Sequence, residues 1–262
     1  MEFSEQYGPW ALIAGASEGL GAAFADECAR RGCNVILVAR RETLLDETAA
    51  RLRDAHGIET RTVVADLGRG DIGNVLSGAT DGLDVGLFVY NAAFAPQGPF
   101  VDVPLDDHLR GVAMNVTTPT VLSHLFGRPM VDRGRGGIVL VSSGAAHAGM
   151  KVFTTYAAGK AYELILGEGL WDELREHGVD ALAYVVGATA TPTFMKSSEH
   201  DAVTATGART PEQVAAQLFE VLGTTPRGYS HPGDEDRTSA AAGRPRTEVV
   251  AAVGETISAI WH

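Results

Sequence analysis

The chain has 262 residues, of which 45 % are hydrophobic and 21 % are charged, and its formal net charge is −12. This length and balance predict a globular protein with a buried core, and they exclude a disordered chain. The negative charge argues against nucleic acid or a membrane surface as a partner. The first ten residues have neither a basic cluster nor a long apolar run, so we expect no secretory signal and a cytoplasmic location.

Short apolar segments alternate with longer amphipathic segments over the first two thirds of the chain. Strands are predicted at residues 10–14, 34–39, 60–65, 85–90, 137–141 and 179–186. The intervening helices are predicted at residues 20–31, 42–56, 72–79, 105–133 and 156–177. Wholly apolar strands that each lead into a helix are typical of a doubly wound parallel sheet. We therefore expect a three-layer α/β/α fold of the Rossmann type, with residues 1–262 as one domain.

The last third of the chain has a weaker pattern. Residues 190–210 are small and polar, and we interpret them as a candidate lid over the substrate. Residues 226–262 form an atypical tail, in which a surface loop up to residue 246 surrounds a short strand near Tyr229. Helices are predicted at residues 211–222, with Thr210 as its N-cap, and at residues 248–261.

A glycine-rich segment follows the first predicted strand and opens the first helix, with the spacing G-x-x-x-G-x-G. Glycine lets the backbone approach a pyrophosphate closely, and the helix N-terminus offers free N–H groups to the anion. This position favours dinucleotide binding over a simple tight turn. The cofactor-binding residues predicted here are Gly15, Ser17, Glu18, Gly19, Leu20 and Gly21.

The end of the second strand indicates which nucleotide is bound. Arg40 and Arg41 stand where an acidic residue would accept hydrogen bonds from the ribose of NAD(H). Guanidinium groups suit a 2′-phosphate, and Ser17 adds a hydroxyl, so NADP(H) is the preferred cofactor and NAD(H) the alternative. The two arginines could instead be solvated surface charges. Asp66, after the third strand, is placed to meet the adenine ring, although a turn-forming aspartate is the alternative.

Four polar residues form the candidate catalytic group. Tyr156 and Lys160 are four residues apart, so they share one helix face. A free tyrosine has a pKa of about 10, and a nearby ammonium group lowers it toward the working range of a base. Ser143 follows the fifth strand at the ligand-binding edge of the sheet and is placed to hold a carbonyl group. Asn115 lies in a helix beside the crevice after the fourth strand.

Between about residue 10 and residue 192, the sequence resembles the classical branch of the short-chain dehydrogenase/reductase family. The resemblance implies a single seven-stranded parallel sheet that binds NAD(P). The residues that carry it, in chain order, are Gly15, Gly19, Gly21, Asp66, Asn91-Ala92-Ala93, Asn115, Ser143, Tyr156, Lys160, Gly187 and Thr191.

The resemblance also implies a role for each matching residue. Tyr156 would be the general acid/base, Ser143 would orient the carbonyl, and Lys160 would bind ribose and tune Tyr156. Asn115 would hold a water that extends the proton relay, and Asn91 would stabilise the sheet near the cofactor. Thr191 and the backbone after Gly187 would contact the nicotinamide carboxamide. The further cofactor contacts expected are Leu67, Ala92, Ala93 and Thr189.

Three positions depart from the family pattern. Ala14 replaces a threonine, Tyr90 begins a Y-N-A-A segment in place of N-N-A-G, and Val186 replaces a proline. None of the three is one of the four candidate catalytic residues, and all three are structural positions near the cofactor. We therefore expect these departures to affect cofactor affinity more than the chemical step. The tail also lacks the usual C-terminal strand and its V-D-G-G-like turn.

The chemistry expected is hydride transfer between a nicotinamide and a carbonyl carbon, with Tyr156 moving the alcohol proton and no metal involved. NADPH-dependent reduction of a ketone or aldehyde is the leading hypothesis. An NAD-dependent alcohol or hydroxysteroid dehydrogenase is the second, and a non-catalytic dinucleotide sensor is the third. We expect a small-molecule carbonyl or alcohol as the substrate, and the family resemblance implies a homodimer or homotetramer.

Apolar side chains near the catalytic group are candidates for the substrate pocket, with core packing as the rival interpretation of each. His147 lies between Ser143 and Tyr156 and is either a pocket residue or a loop histidine. The predicted substrate-lining residues are Phe94, Ser143, His147, Phe153, Phe194 and Met195.

Overall fold

The computed structural model of the chain describes residues 2–192, 195 and 207–260. Within these residues, seven strands form one sheet in the order β3-β2-β1-β4-β5-β6-β7, and every neighbouring pair is parallel. This is the doubly wound sheet that the sequence predicts. The strands are β1 (Trp10–Ala14), β2 (Asn34–Ala39), β3 (Thr60–Val64), β4 (Val85–Tyr90), β5 (Gly136–Ser143), β6 (Val179–Val186) and β7 (Arg227–Tyr229).

Helices cover both faces of the sheet. Short 3₁₀ turns at Gly144–His147 and Arg175–His177 and a π-helical segment at Ala113–Thr117 supplement them. The α-helices of the described residues are α1 (Phe3–Tyr7), α2 (Gly19–Arg30), α3 (Glu42–His56), α4 (Ile72–Ala79), α5 (Leu105–Val112), α6 (Thr118–Arg133), α7 (Thr154–Leu174), α8 (Pro211–Val221), α9 (Asp234–Ala242) and α10 (Arg246–Ile260).

The core is divided by the sheet into two clusters. Leu12 pairs with Ile36 and both point to one face, while Ile13 and Leu37 point to the other. All four side chains are buried, because helices cover both faces. The first face packs on α4, α6 and α7, and the second packs on α2, α3 and α8. Cys28 and Cys33 are both buried and carry free thiols.

Most predicted elements have the expected position. The helix start at Pro211 is confirmed, because Thr210 Oγ1 accepts a hydrogen bond of 3.3 Å from the backbone N–H of Gln213. The long helix predicted up to residue 177 ends at Leu174 and continues as a 3₁₀ turn. The predicted strand at residues 137–141 extends to Gly136–Ser143, because its whole length pairs with β6.

Three elements differ from the prediction. Residues 226–246 contain α9, where a surface loop was expected. Three acidic residues in the first turn of α9 favour a helix N-terminus, and alanines follow them. Helix α1 was not predicted, and the helical region that contains Asn115 includes a π-helical segment.

None of the helices in the described part of the chain has the length and apolar character needed to cross a bilayer.

Candidate active site

The glycine-rich loop between β1 and α2 packs closely against the end of β4. Gly15 has a φ of +86°, and a Cβ on it would lie 2.9 Å from the Cα of Ala92. A Cβ on Gly21 would overlap the carbonyl oxygen of Gly15. Asn91 Nδ2 donates a hydrogen bond of 3.1 Å to that same oxygen and so fixes the loop. Side chains would block this packing, which explains the glycines physically.

The loop opens into a cleft of about 970 Å³ at the carboxyl ends of the strands. This volume and position suit a dinucleotide with a small organic substrate. The predicted residues that line the cleft are Gly15, Ser17, Glu18, Gly19, Leu20, Arg40, Arg41, Leu67, Asn91, Ala92, Ala93, Phe94, Ser143, Phe153, Tyr156, Lys160, Gly187, Thr189 and Thr191.

Five predicted residues that the structure describes lie outside this lining, namely Gly21, Asp66, Asn115, His147 and Met195. Phe194 and most of the candidate lid, residues 193–194 and 196–206, lie outside the described residues. Gly21 packs against the Gly15 carbonyl and so contributes to the shape of the glycine-rich loop without lining the cleft. The side chain of Met195 is exposed.

Both carboxylate oxygens of Asp66 have partners within the protein. Its Oδ1 accepts a hydrogen bond of 3.0 Å from the backbone N–H of Gly68, and its Oδ2 lies 3.1 Å from Arg110 Nη2. The hydrogen bond to Gly68 is typical of a turn-forming aspartate, which is the alternative interpretation that the sequence left open. Contact with the adenine ring stays a prediction.

His147 packs against the tail and does not line the cleft. Its ring stacks on Tyr229, with centroids 6.2 Å apart and an interplanar angle of 21°. Burial lowers the pKa of the His147 imidazole. The structure therefore favours the interpretation of His147 as a packed loop histidine over a pocket residue.

Arg41 is oriented by the glycine-rich loop. Its Nη2 donates a hydrogen bond of 2.7 Å to Ser17 Oγ and lies 3.0 Å from Glu18 Oε1. Ser17 is itself buried. The guanidinium and hydroxyl groups expected for a 2′-phosphate thus lie together, and Arg40, which also lines this end of the cleft, is exposed beside them.

Tyr156 and Lys160 lie one turn apart on α7 and both line the cleft. The Lys160 ammonium lies 5.9 Å from the centroid of the Tyr156 ring. Phe153 packs edge to face on Tyr156, at 6.5 Å between centroids. Ser143 ends β5 on the same cleft, and its Oγ accepts a hydrogen bond of 3.2 Å from the backbone N–H of Ala145. Tyr156 and Ser143 thus bring a phenol and a hydroxyl group to one cleft, and the Lys160 side chain lines the same cleft.

Asn115 lies in the π-helical segment, fully buried behind the cleft. Its Oδ1 accepts from the backbone N–H of Phe94 at 3.0 Å, and its Nδ2 donates to the Phe94 carbonyl at 2.7 Å. A Cβ on Gly159 would lie 2.6 Å from the Asn115 Cβ, so this segment and α7 pack tightly. Single-turn π segments are frequent at functional sites. The proposed water relay through Asn115 stays a prediction.

Several cleft residues were not predicted. Ile257 reaches the cleft from α10, far along the chain, and no local pattern indicates this contact. Met150 and Pro192 line the same cleft from loops. Small residues at strand ends, such as Ala39 and Ala65, could have been found from their places next to predicted cofactor residues.

Comparison with known proteins defines the family. The family model described as short chain dehydrogenase matches residues 9–202. 7β-Hydroxysteroid dehydrogenases from Clostridium sardiniense and Collinsella aerofaciens are each 34 % identical to this chain. Each alignment covers 85 % of this chain, and they cover 85 % and 86 % of the two relatives.

Solved structures give the same result. A 7β-hydroxysteroid dehydrogenase superposes with a TM-score of 0.92 at 31 % identity, over 97 % of this chain and 99 % of that chain. A short-chain dehydrogenase from Sphingobium yanoikuyae in complex with NADPH superposes with a TM-score of 0.76 at 27 % identity, over 89 % and 93 % of the two chains.

The fold and the cleft define a nicotinamide-nucleotide-dependent oxidoreductase that interconverts alcohols and carbonyl compounds. The chain belongs to the short-chain dehydrogenase family, as its motifs predict. The glycine-rich loop fits such a nucleotide, because glycines at positions 15 and 21 let the backbone pack tightly beside the cleft. Side chains at these two positions would displace that backbone.

Proposed function

We propose that the protein is an NADP(H)-dependent oxidoreductase of hydroxysteroids and their ketones, with Tyr156 as its acid/base. The observation that carries the proposal is that Tyr156, Lys160 and Ser143 line the same cleft as the glycine-rich loop. With NADPH as the cofactor, the proposed reaction is the reduction of a ketone to an alcohol.

Each residue has a distinct part in the proposed reaction. When bound, the nicotinamide supplies a hydride in reduction or accepts one in oxidation. Tyr156 gives its phenolic proton to the carbonyl oxygen during reduction and takes the alcohol proton during oxidation. Ser143 donates a hydrogen bond to the same oxygen and so stabilises its developing negative charge. Lys160 stabilises the phenolate of Tyr156 by its positive charge.

The preference for NADP(H) is proposed from the charges beside the loop. Arg41 and Ser17, 2.7 Å apart, offer guanidinium and hydroxyl donors to a 2′-phosphate, and Arg40 adds a second positive charge. Glu18 lies 3.0 Å from Arg41 and would oppose that phosphate, so NAD(H) stays the alternative cofactor.

The substrate class is proposed from the relatives and from the cleft walls. Relatives that share a third of the sequence over most of the chain are named for the 7β-hydroxyl group of steroids. Met150, Phe153 and Ile257 supply apolar walls of the kind that a steroid skeleton requires. A 7-ketosteroid and its 7β-alcohol are therefore the first pair to test.

We also propose that the protein is a homo-oligomer assembled through α6 and α7. Thr120 Oγ1 and Tyr162 Oη lie 2.7 Å apart and join the two helices into one surface. On this surface Ile165 is 62 % exposed, and Val121 and Tyr162 are also exposed. A second copy would bury these side chains. Light scattering of the wild type and of Ile165→Glu tests this, and a wild-type monomer at micromolar concentration would contradict it.

A cofactor-consumption assay tests the proposed activity. The panel contains 7-keto and 7β-hydroxy steroids, their 7α-hydroxy and 3-keto isomers and simple aliphatic ketones, each with NADP(H) and NAD(H). We expect turnover of the 7-keto and 7β-hydroxy pair with NADP(H). Turnover confined to the aliphatic ketones would reject the steroid assignment, and nucleotide binding without turnover on any compound would favour the dinucleotide sensor.

A further inference from the structure

Glu163 is a buried carboxyl group directly behind the Tyr156–Lys160 pair. It lies three residues after Lys160 on α7 and is 0 % exposed. Its Oε2 lies 2.7 Å from Lys160 Nζ, and Lys160 is itself only 3 % exposed. Its Oε1 is buried and has no hydrogen-bond partner among the described residues. An ion pair this deep is costly to bury, so packing alone does not explain it.

The surroundings of Glu163 contain few charges. Lys160 Nζ also donates a hydrogen bond of 2.7 Å to the carbonyl oxygen of Val141 on β5. Tyr90 on β4 is a titratable neighbour, and burial together with the Glu163 charge raises the pKa of its phenol. Asn115, against Gly159 on the neighbouring π-helical segment, is uncharged. Within the described part of the chain, Lys160 is therefore the cation that acts on this carboxyl group.

The protonation of Glu163 changes the net charge of the buried pair. Burial raises the pKa of Glu163 to about 7, although the Lys160 ammonium opposes this rise. When Glu163 is ionised, the pair is neutral. When Glu163 is protonated, the pair carries one positive charge on Lys160, whose Nζ lies 5.9 Å from the centroid of the Tyr156 ring.

We propose that Glu163 is a positioning residue that holds Lys160 through its carboxylate and limits the positive charge that Lys160 presents to Tyr156. This inference rests on the proposed roles of Tyr156 and Lys160. A carboxylate behind the ammonium makes the phenolate form of Tyr156 harder to reach, and this favours a tyrosine that keeps its proton for the reduction of a ketone. The charge of Lys160 acts on Tyr156 through a low-dielectric interior, where a neighbouring carboxylate weakens its effect strongly.

The direct test is a spectrophotometric titration of tyrosinate absorbance, which needs no substrate. The chain has six tyrosines, so the Tyr156 signal is isolated by subtracting the Tyr156→Phe variant in each background. Glu163→Gln keeps the side-chain shape and removes the charge. We expect its Tyr156 signal to appear about one pH unit lower than in the wild type.

Two variants separate charge from packing. Glu163→Asp keeps the negative charge, and we expect its midpoint to stay close to that of the wild type. Glu173→Gln removes an exposed carboxylate from the same helix, and we expect no shift. Coincident midpoints for the wild type and Glu163→Gln would overturn the inference. Equal shifts in Glu163→Gln and Glu163→Asp would also overturn it, because they would indicate disturbed packing.

The pH profile of alcohol oxidation gives a second readout. We expect its rising limb to move to lower pH in Glu163→Gln by the same amount as the tyrosinate signal. If the titration shifts but no alcohol is oxidised, the proposed function fails and the inference on Glu163 stands. If oxidation requires Tyr156 but neither readout shifts, the inference on Glu163 fails alone.

Discussion

The backbone N–H of Gly187 donates a hydrogen bond of 2.9 Å to Ser230 Oγ. This contact joins the end of β6 to the turn after β7. Ser230 is fully buried, its backbone N–H donates to the Val185 carbonyl at 3.0 Å, and its Oγ lies 2.8 Å from His231 Nδ1. The atypical tail therefore supports the segment that lines the proposed nicotinamide end of the cleft.

Ser230→Ala tests this support. The substitution leaves the Gly187 N–H without its partner, so we expect the free energy of unfolding to fall by about 1–2 kcal/mol. We also expect weaker NADPH binding, because the Gly187 segment loses its anchor. Urea unfolding and a fluorescence titration measure the two effects. Ser239→Ala, exposed on α9, is the matched control, and equal behaviour of both variants would contradict the anchoring role.

Arg41→Ala tests the proposed cofactor preference. A guanidinium hydrogen bond to a charged phosphate contributes about 1.5–3 kcal/mol, so we expect the Kd for NADPH to rise at least about tenfold. The Kd for NADH should change little, because it has no 2′-phosphate. Arg51→Ala, which removes a charge that pairs with Asp26 on the surface, is the control. Equal losses for both nucleotides would reject the assignment of Arg41.

Gly21→Ala tests the packing of the nucleotide loop. The added methyl group would overlap the Gly15 carbonyl, so we expect a loss of stability of about 1–3 kcal/mol and loss of nucleotide binding. Gly78→Ala adds the same group inside α4, where nothing lies within 4 Å. We expect that control to be neutral or slightly stabilising. Normal NADPH affinity in Gly21→Ala would contradict the role of the loop.

The raised pKa of Glu163 predicts a pH dependence of stability. In the unfolded chain this carboxyl ionises near its ordinary value of 4.5, whereas in the folded chain it keeps its proton up to about 7. Between these values the unfolded chain has already lost the proton, so rising pH destabilises the folded state. The wild type should therefore lose up to about 3 kcal/mol relative to Glu163→Gln across this window. Urea unfolding of both proteins at several pH values measures the difference, and parallel curves would contradict the prediction.

Much of the fold could be predicted because local patterns and tertiary structure agree. The apolar residues of β1, β2, β4 and β6 are buried on both faces, which is what their sequences indicate. The loop from Gly15 to Gly21 and the Tyr156–Lys160 spacing depend on local geometry, so they too could be read from the sequence.

Other features depend on contacts between distant parts of the chain. Ile257 reaches the cleft only because α10 docks over it, and Ser230 supports Gly187 across many intervening residues. Glu163 has the sequence signature of a polar helix position, and only the packed structure places it behind Lys160. Helix α9 was missed because its glycine- and charge-rich surroundings are typical of a loop.

The most direct test of the central claim is the turnover and NADPH affinity of Tyr156→Phe, measured with a 7-ketosteroid. The substitution removes the proposed proton donor and keeps the ring that packs on Phe153. We predict that kcat falls by about 10²–10⁴-fold while the Kd for NADPH stays within about threefold of the wild type. Turnover that matches the wild type would contradict the assignment of Tyr156 as the acid/base.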